Sequence, residues 1–337
     1  MFDVPFLLVV IVVVAVIFDF TNGAHDCANA IASVVSTKVL SPRLVVWAAA
    51  SLNLGGALLG TAVAKTLGGG IVLPGVVGAS QILVLAALAA AIAWNAVTWY
   101  FGIPSSSSHA LIGGLCGAAV ADQGFSALNV AGIVDKVLIP LFVAPLSGFT
   151  AGFLLMWGMY WALSRMRRRT VGLVFRKLQL CSAGMMATSH GLNDAQKTMG
   201  IVTLALMIFG FQDSVEYVPL WVKLACAGSM ALGTAVGGWK IIRTMGTGIF
   251  KLEPYHGFTA EISATLVITG ASALGAPIST THTISSCICG VGATKRLSAV
   301  RWGVAGNLVT AWVLTLPAAA VMGYLCHTLL HLVSGWN

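Results

Sequence analysis

Apolar windows of about 20 residues, nearly free of charge, recur along this chain; "FLLVVIVVVAVIF" (6–18) and "ILVLAALAAAIAW" (82–94) are two of them. A helix of that length crosses about 30 Å of hydrocarbon. Inside hydrocarbon every backbone N–H and C=O needs an internal partner, so only helices and closed barrels can span it. The runs lack the apolar–polar alternation of a barrel strand. The expected fold is therefore an all-α polytopic membrane protein, with the lipid bilayer as its surroundings. Of the 337 residues only 8% are charged, against roughly 25% in an ordinary soluble domain. The first run has Asp3 as its only preceding charge and no basic residue, so it is expected as a mature span and not as a signal peptide.

The formal net charge of +8 does not point to nucleic acid, because six of the 18 basic residues fall in "SRMRRRTVGLVFRK", between Arg165 and Lys177. That excess is expected in one loop. The seven cysteines are scattered, mostly within apolar runs, and are expected as small packing residues. No C-x-x-C, H-E-x-x-H or G-x-x-x-x-G-K-[ST] occurs, so neither a zinc site nor an ATP-driven pump has motif support, and no cofactor is expected.

The chain repeats itself. "GAHDCANA" (23–30) aligns with "GLNDAQKT" (191–198) at an offset of 168, and "GIPSSSSHALIGGLCG" (102–117) with "GAPISTTHTISSCICG" (275–290) at 173. The charges that follow equivalent motifs have opposite sign. Lys38 and Arg43 follow the first motif, Asp213 and Glu216 its copy; Asp122 follows the serine motif, and Lys295, Arg296 and Arg301 its copy. Because cytoplasmic loops collect Lys and Arg, the halves are expected to be inverted in the membrane, as in many secondary transporters. Repeat 1 is expected over 1–164, a cytoplasmic basic linker over 165–178 and repeat 2 over 179–337, with about five helical segments in each repeat and both termini outside. The expected segments are 5–24, 44–64, 81–101, 103–121 and 137–162, then 179–210, 220–240, 256–274, 276–293 and 302–326. The turns "FGIPSSSSH" and "LGAPISTTH" carry no charge, which favours re-entrant hairpins over 81–121 and 256–293, although full spans would place the flanking charges equally well.

In both hydroxyl motifs proline suits a first helical turn and Ser or Thr its cap. A helix N-terminus presents unpaired N–H groups and partial positive charge, so two such starts, one from each side, form an anion receptor. Simple capping and close packing are the plainer alternative. His109 and His282 are either ligands or satisfied packing partners. A carboxylate inside a bilayer costs about 2.5–3.5 kcal/mol on insertion scales, so Asp26 and Asp194, at the same repeat position, are candidate cation sites, flanked by Asn22, His25 and Asn29 and by Asn193, Gln196 and Lys197. Hard oxygen ligands suit sodium, or a proton on the carboxylate. The alternative places these residues at a helix end near water. Lys197 either neutralises Asp194 or, with Gln196, meets the substrate. Glu261, whose repeat mate is Leu88, is a further cation site or an end-of-span residue.

These same segments, "FDFTNGAHDCANAIASVVSTKVLSP", "SHGLNDAQKTMGI" and the two proline–hydroxyl–histidine motifs, resemble the inorganic phosphate transporter (PiT) family of secondary carriers over nearly the whole chain. His25 stands where the family usually has asparagine, a form that resembles bacterial members. The resemblance implies import of inorganic phosphate through the cytoplasmic membrane by symport with sodium or protons, assembly as a homodimer, and no enzymatic role. It implies cation contacts from Asp26, Asn29 and Asp194, with sodium as the metal at both aspartates, and phosphate contacts from Ser106, Ser107, Ser108, Ser279, Thr280 and Thr281. Ser105, opposite Ile278, is a weaker candidate. Sulfate permeases resemble the family closely; an anion channel and an intramembrane Ser/His/Asp hydrolase are the competing classes.

Overall fold

The computed structural model describes residues 4–69 and 81–334. Among them there is no strand, and twelve helices carry the fold: α1 (Val4–Thr37), α2 (Pro42–Ala57), α3 (Ala62–Gly69), α4 (Gln81–Phe101), α5 (Ser107–Gln123), α6 (Val130–Leu163), α7 (Arg168–Ile208), α8 (Leu220–Val236), α9 (Trp239–Gly248), α10 (Pro254–Ala273), α11 (Thr280–Lys295) and α12 (Trp302–Ser334). The halves α1–α6 and α7–α12 have the same element order, down to the single 3-10 turns Phe125–Ala127 and Leu297–Ala299 before their last helices. Helices α8 and α9 are one segment bent by 65°. Counted so, the second half has the five segments expected of it.

The surface is apolar and the interior polar, the reverse of a soluble domain. Phe142, Leu146, Trp161 and Leu325 face outward, as do Trp47, Trp221 and Trp302, while Asp19, Asp26, Asp194, Lys197 and Glu261 are buried. Four helices are each long and apolar enough to cross a membrane, or five with the bent pair. Helices α5 and α11, with 17 and 16 residues, reach only about 25 Å at 1.5 Å per residue.

Two expectations are corrected. The basic stretch 165–178 is not a loop; helix α7 starts at Arg168 and runs without a break to Ile208. Arg and Lys are good helix formers, and Val171, Phe175 and Gln179, spaced four apart, bury one face of this segment against its neighbours. The first segment, expected to end at residue 24, continues as helix α1 to Thr37, so Asp26 lies mid-helix, as Asp194 was expected to and does.

The halves are interlocked. Helix α5 packs on α12 and α11 on α6, so the hydroxyl helix of each half lies against the last helix of the other; α1 packs on α8 and α7 on α2 in the same crossed way. Glycine makes these approaches possible. A Cβ at Gly23 would strike the Met230 carbonyl oxygen, and one at its mate Gly191 the Asn53 carbonyl oxygen. At the hydroxyl helices Gly117 abuts the Ala320 carbonyl and its mate Gly290 the Phe149 carbonyl. Small residues that bring backbones together are the usual packing device within lipid, where helices gain nothing from excluding water. Gly117→Val is expected to destabilise the fold by about 1–3 kcal/mol, read as a lower thermal midpoint in detergent, whereas Gly158→Val, with open space around it, leaves the midpoint near wild type. Equal midpoints for the two would break the α5–α12 contact.

Candidate functional site

The hydroxyl motifs are joints between two helices. Gly102 and Gly275 share φ +68. Ile103 N–H donates to Thr98 O and Ala276 N–H to Ala271 O, both at 2.9 Å, while the glycine N–H groups donate to Trp99 O and Ser272 O. This is the Schellman end of α4 and of α10, which needs a left-handed residue and is commonly followed by proline. Pro104 and Pro277 therefore follow the closing of one helix; they do not sit in the first turn of the next, as the sequence pattern suggested. The next helix begins at Ser106 or Ser279, whose side chains accept from the N–H of His109 (3.2 Å) and His282 (3.3 Å). Both N-caps are as expected.

The two aspartates converge. One carboxylate oxygen each from Asp26 and Asp194 and one ring nitrogen of His190 lie within 4.8 Å of one another, all buried. His25 Nδ1 is 2.7 Å from Asp26 Oδ1 and its Nε2 3.0 Å from Thr98 Oγ1. Lys197 pairs with Asp194 and also donates to Ser108 Oγ (2.6 Å) and Ile278 O (2.9 Å), so one ammonium bridges both hydroxyl motifs. Its repeat mate Asn29 donates to Thr280 and Thr281 at 3.1 and 3.0 Å. Thr280 in turn donates to Asp194 (2.8 Å) and Thr281 to Asp26 (3.4 Å). The phosphate-contact candidates and the cation-contact candidates thus form one centre near the two-fold axis, with both residue classes in direct contact. His109 and His282 meet there, ring centroids 4.9 Å apart, and Trp312 stacks on His282 while donating to Pro104 O at 3.2 Å.

Three buried amide oxygens on the aspartate-bearing helices α1 and α7 have no donor. Asn22 Oδ1, Asn29 Oδ1 and Asn193 Oδ1 have no hydrogen-bond partner among the described residues. A buried polar atom left so is costly, by about 1–3 kcal/mol. His190 bridges the same region: its Nδ1 lies 3.2 Å from Asn53 Oδ1 and its Nε2 3.1 Å from Asp194 Oδ2, two oxygens to which both ring nitrogens donate when the imidazole carries its second proton.

Other candidates lie apart. Gln196, expected to meet the substrate, accepts from Val63 N–H at 2.8 Å and donates to Leu192 O, so it fastens α3 to α7. Asn193 donates to Ser272 at 2.8 Å, towards the end of α10. Ser105 faces Thr98 at 3.1 Å, in contact with the His25 side of the centre. Glu261 is buried in its own pocket, accepting from Ser33, Ser182 and Gln179; it is not an end-of-span residue. Sequence reasoning missed His190, which stands opposite Asn22 in the repeat, and Asp19, seven residues before Asp26 and so on the same helical face. A carboxylate in "VIFDF" was signal enough for Asp19.

Hydroxyl-capped helix starts beside a buried cluster of carboxylates, on an inverted repeat of apolar helices, are the architecture of a membrane carrier. The model of the phosphate transporter family matches residues 22–173 and again 162–323. The chain is 49% identical over 329 residues to a protein of Rhizobium meliloti described as a probable low-affinity inorganic phosphate transporter, with 97% of this chain and 98% of the relative covered. It is 45% identical over 327 residues to a protein of the same description from Bacillus subtilis, covering 97% and 98%. Among solved structures, one titled the sodium-dependent phosphate transporter superposes with a TM-score of 0.85 at 25% identity, over 97% of this chain and 99% of that one. The chain belongs to the phosphate transporter family.

Replacing Lys197 with methionine leaves Asp194 buried beside a second carboxylate. Breaking a buried pair on one side costs roughly 3–5 kcal/mol, so Lys197→Met is expected to lower the thermal midpoint sharply and the double variant Lys197→Met/Asp194→Asn to recover most of the loss. A single variant as stable as wild type would contradict the buried pair.

Proposed function

We propose that this chain imports inorganic phosphate across the cytoplasmic membrane by symport with a small cation, sodium being the ion the ligand set fits, through alternating access to one buried centre. The observation that carries the reading is the meeting of the Asp26 and Asp194 carboxylates in one buried place, beside Asn29, whose amide oxygen has no partner among the described residues. A single proton neutralises one carboxylate only, whereas sodium takes several hard oxygen ligands, carboxylate and amide together. His25, hydrogen-bonded to Asp26, is the residue through which protons would compete. Phosphate is received by donors: the N-termini of α5 and α11, the hydroxyls of Ser106, Ser107, Ser108, Ser279, Thr280 and Thr281, and Lys197. Of these hydroxyls Ser107 Oγ has no partner among the described residues.

Charge explains the coupling. Moving negative charge into a negative interior costs about 2.3 kcal/mol per charge per 100 mV, and bringing phosphate beside two carboxylates adds direct repulsion. Cations bound first remove both obstacles. The conformation described is occluded, since the hydroxyl motifs, Asp26, Asp194 and Lys197 are all buried. Both termini are placed outside and the assembly is a homodimer in this reading, which accessibility labelling and the mass of the solubilised particle test.

Labelled phosphate uptake into proteoliposomes, with sodium and proton gradients imposed separately and sulfate as competitor, decides the reading. Uptake is expected to follow the sodium gradient and to be abolished by Asp26→Ala and by Asp194→Ala. Asn29→Ala is expected to raise the sodium concentration for half-maximal uptake roughly tenfold, the equivalent of about 1.4 kcal/mol. Downhill flux indifferent to either gradient would indicate a channel, and flux driven by protons alone would remove sodium.

A further inference from the structure

Asp19 has no place in the centre just described. It is fully buried in α1, and its Oδ1 accepts from Thr198 Oγ1 of α7 at 2.8 Å. Its Oδ2 has no hydrogen-bond partner among the described residues, and neither does Oδ1 of Asn22. Asn22 stands three positions on, within hydrogen-bonding reach of Asp19 on the same face of the helix. Asp19 and Asn22 thus each leave one buried oxygen without a partner on one face of α1, near Lys197 and Asp194, whose charges act on Asp19.

Nothing in the repeat requires this carboxylate. The mate of Asp19 is Ala187 and the mate of Thr198 is Ala30, both buried apolar residues. The fold accepts alanine at each position, so packing does not explain the acid. An ionised carboxylate in a low-dielectric interior persists when it is paired or coordinates an ion, and among the described residues no cationic side chain pairs with Asp19.

We propose that Asp19 Oδ2 and Asn22 Oδ1 form a further binding site for a sodium-sized monovalent cation, on one side of the two-fold centre and without a counterpart on the other. The site rests on the sodium-symport reading and deepens it. Asn22 joins it to the central cluster, so an ion held at Asp19 lies beside the ions at Asp26 and Asp194 and offsets the charge of incoming phosphate. Because the repeat mate is apolar, the extra ion binds from one half only, which makes the cation pathway asymmetric in a chain whose backbone is nearly symmetric.

Equilibrium binding of radioactive sodium to the purified full-length protein tests it. Asp19→Asn keeps the shape and mimics a protonated acid, and Asp19→Ala reproduces the residue found at position 187. Each is expected to bind one sodium fewer per chain than wild type and to lower the Hill coefficient for sodium activation of phosphate uptake. Thr198→Ala, which copies Ala30, is expected to keep the count and weaken sodium binding several-fold, so it provides an independent readout if an Asp19 variant fails to fold. An unchanged sodium count in Asp19→Asn overturns the site and identifies Asp19 as a buried acid that donates to Asn22. Wild-type protein that binds no sodium overturns the symport reading itself, and this site with it.

Discussion

Two carboxylates held together in an interior that cannot hydrate them set the terms for the rest of this molecule. With oxygens of Asp26 and Asp194 within 4.8 Å, their mutual repulsion is at least about 3 kcal/mol at an effective dielectric constant of about 20. The surroundings answer that repulsion from every direction. Lys197 pairs with one aspartate and His25 with the other. Thr280 and Thr281 donate to them from the start of α11, and the positive end of that helix faces the same place. His190 also faces Asp194, its Nε2 3.1 Å from Oδ2. Even so, the amide oxygen of Asn29 is left without a donor. In the proposed symport, a cation bound together with phosphate makes substrate and co-ion parts of one electrostatic balance.

The two-fold relation supplies the scaffold, and its breaches supply the chemistry. Gly23 and Gly191, and Gly117 and Gly290, make the same close approaches in both halves, because interlocked backbones leave no room for a side chain at those points. Around the ions the halves differ. Asn29 stands opposite Lys197, His25 opposite Asn193, and Asn22 opposite His190. The pocket of Glu261, Ser33, Ser182 and Gln179 has as its mates Leu88, Ile201, Val14 and Ile11, an apolar cluster. A symmetric scaffold lets the centre be approached from both sides by equivalent rearrangements. In the proposed symport, unequal residues in equivalent places would hold ions differently in the two directions.

The duplication, the apolar helices and the paired aspartates were legible in the sequence because each rests on local pattern or on likeness between the halves. What eluded the sequence had different physical origins. The basic segment read as a loop from its charge, yet the four-residue spacing of Val171, Phe175 and Gln179 already described a helix with one buried face. Pro104 and Pro277 read as helix starters because Gly-x-Pro fits a C-terminal cap and an N-terminal turn equally well until the hydrogen bonds are seen. Asp19 escaped because a comparison of repeats finds what the halves share, and Asp19 is something they do not. Gln196 was assigned by its neighbours in sequence, but on a helix adjacent residues point about 100° apart, and it turns to α3. The exchange of last helices between halves leaves no local trace at all.

That exchange bears on which parts can move together. Backbones in contact at glycine, as α5 with α12 and α11 with α6 are, are close-packed and not continuously deformable, so each hydroxyl helix travels with the last helix of the opposite half. The aspartates belong to α1 and α7, which are locked in the same way onto α8 and α2. The centre therefore lies where two pairs of interlocked helices meet a third, interlocked group, and polar side chains link it across those boundaries: Lys197 to Ser108 and the Ile278 carbonyl, Asn29 to Thr280 and Thr281, and the threonines to the aspartates. These polar links are the ones that a change in bound ion or phosphate alters directly, whereas the glycine contacts are indifferent to both. In the proposed alternating access, the boundaries between the helix groups are accordingly where opening is expected. Trp312, which donates to Pro104 in one motif while stacking on His282 in the other, is the side chain of α12 that spans the two hydroxyl helices, so opening on either side has to part it from one of them.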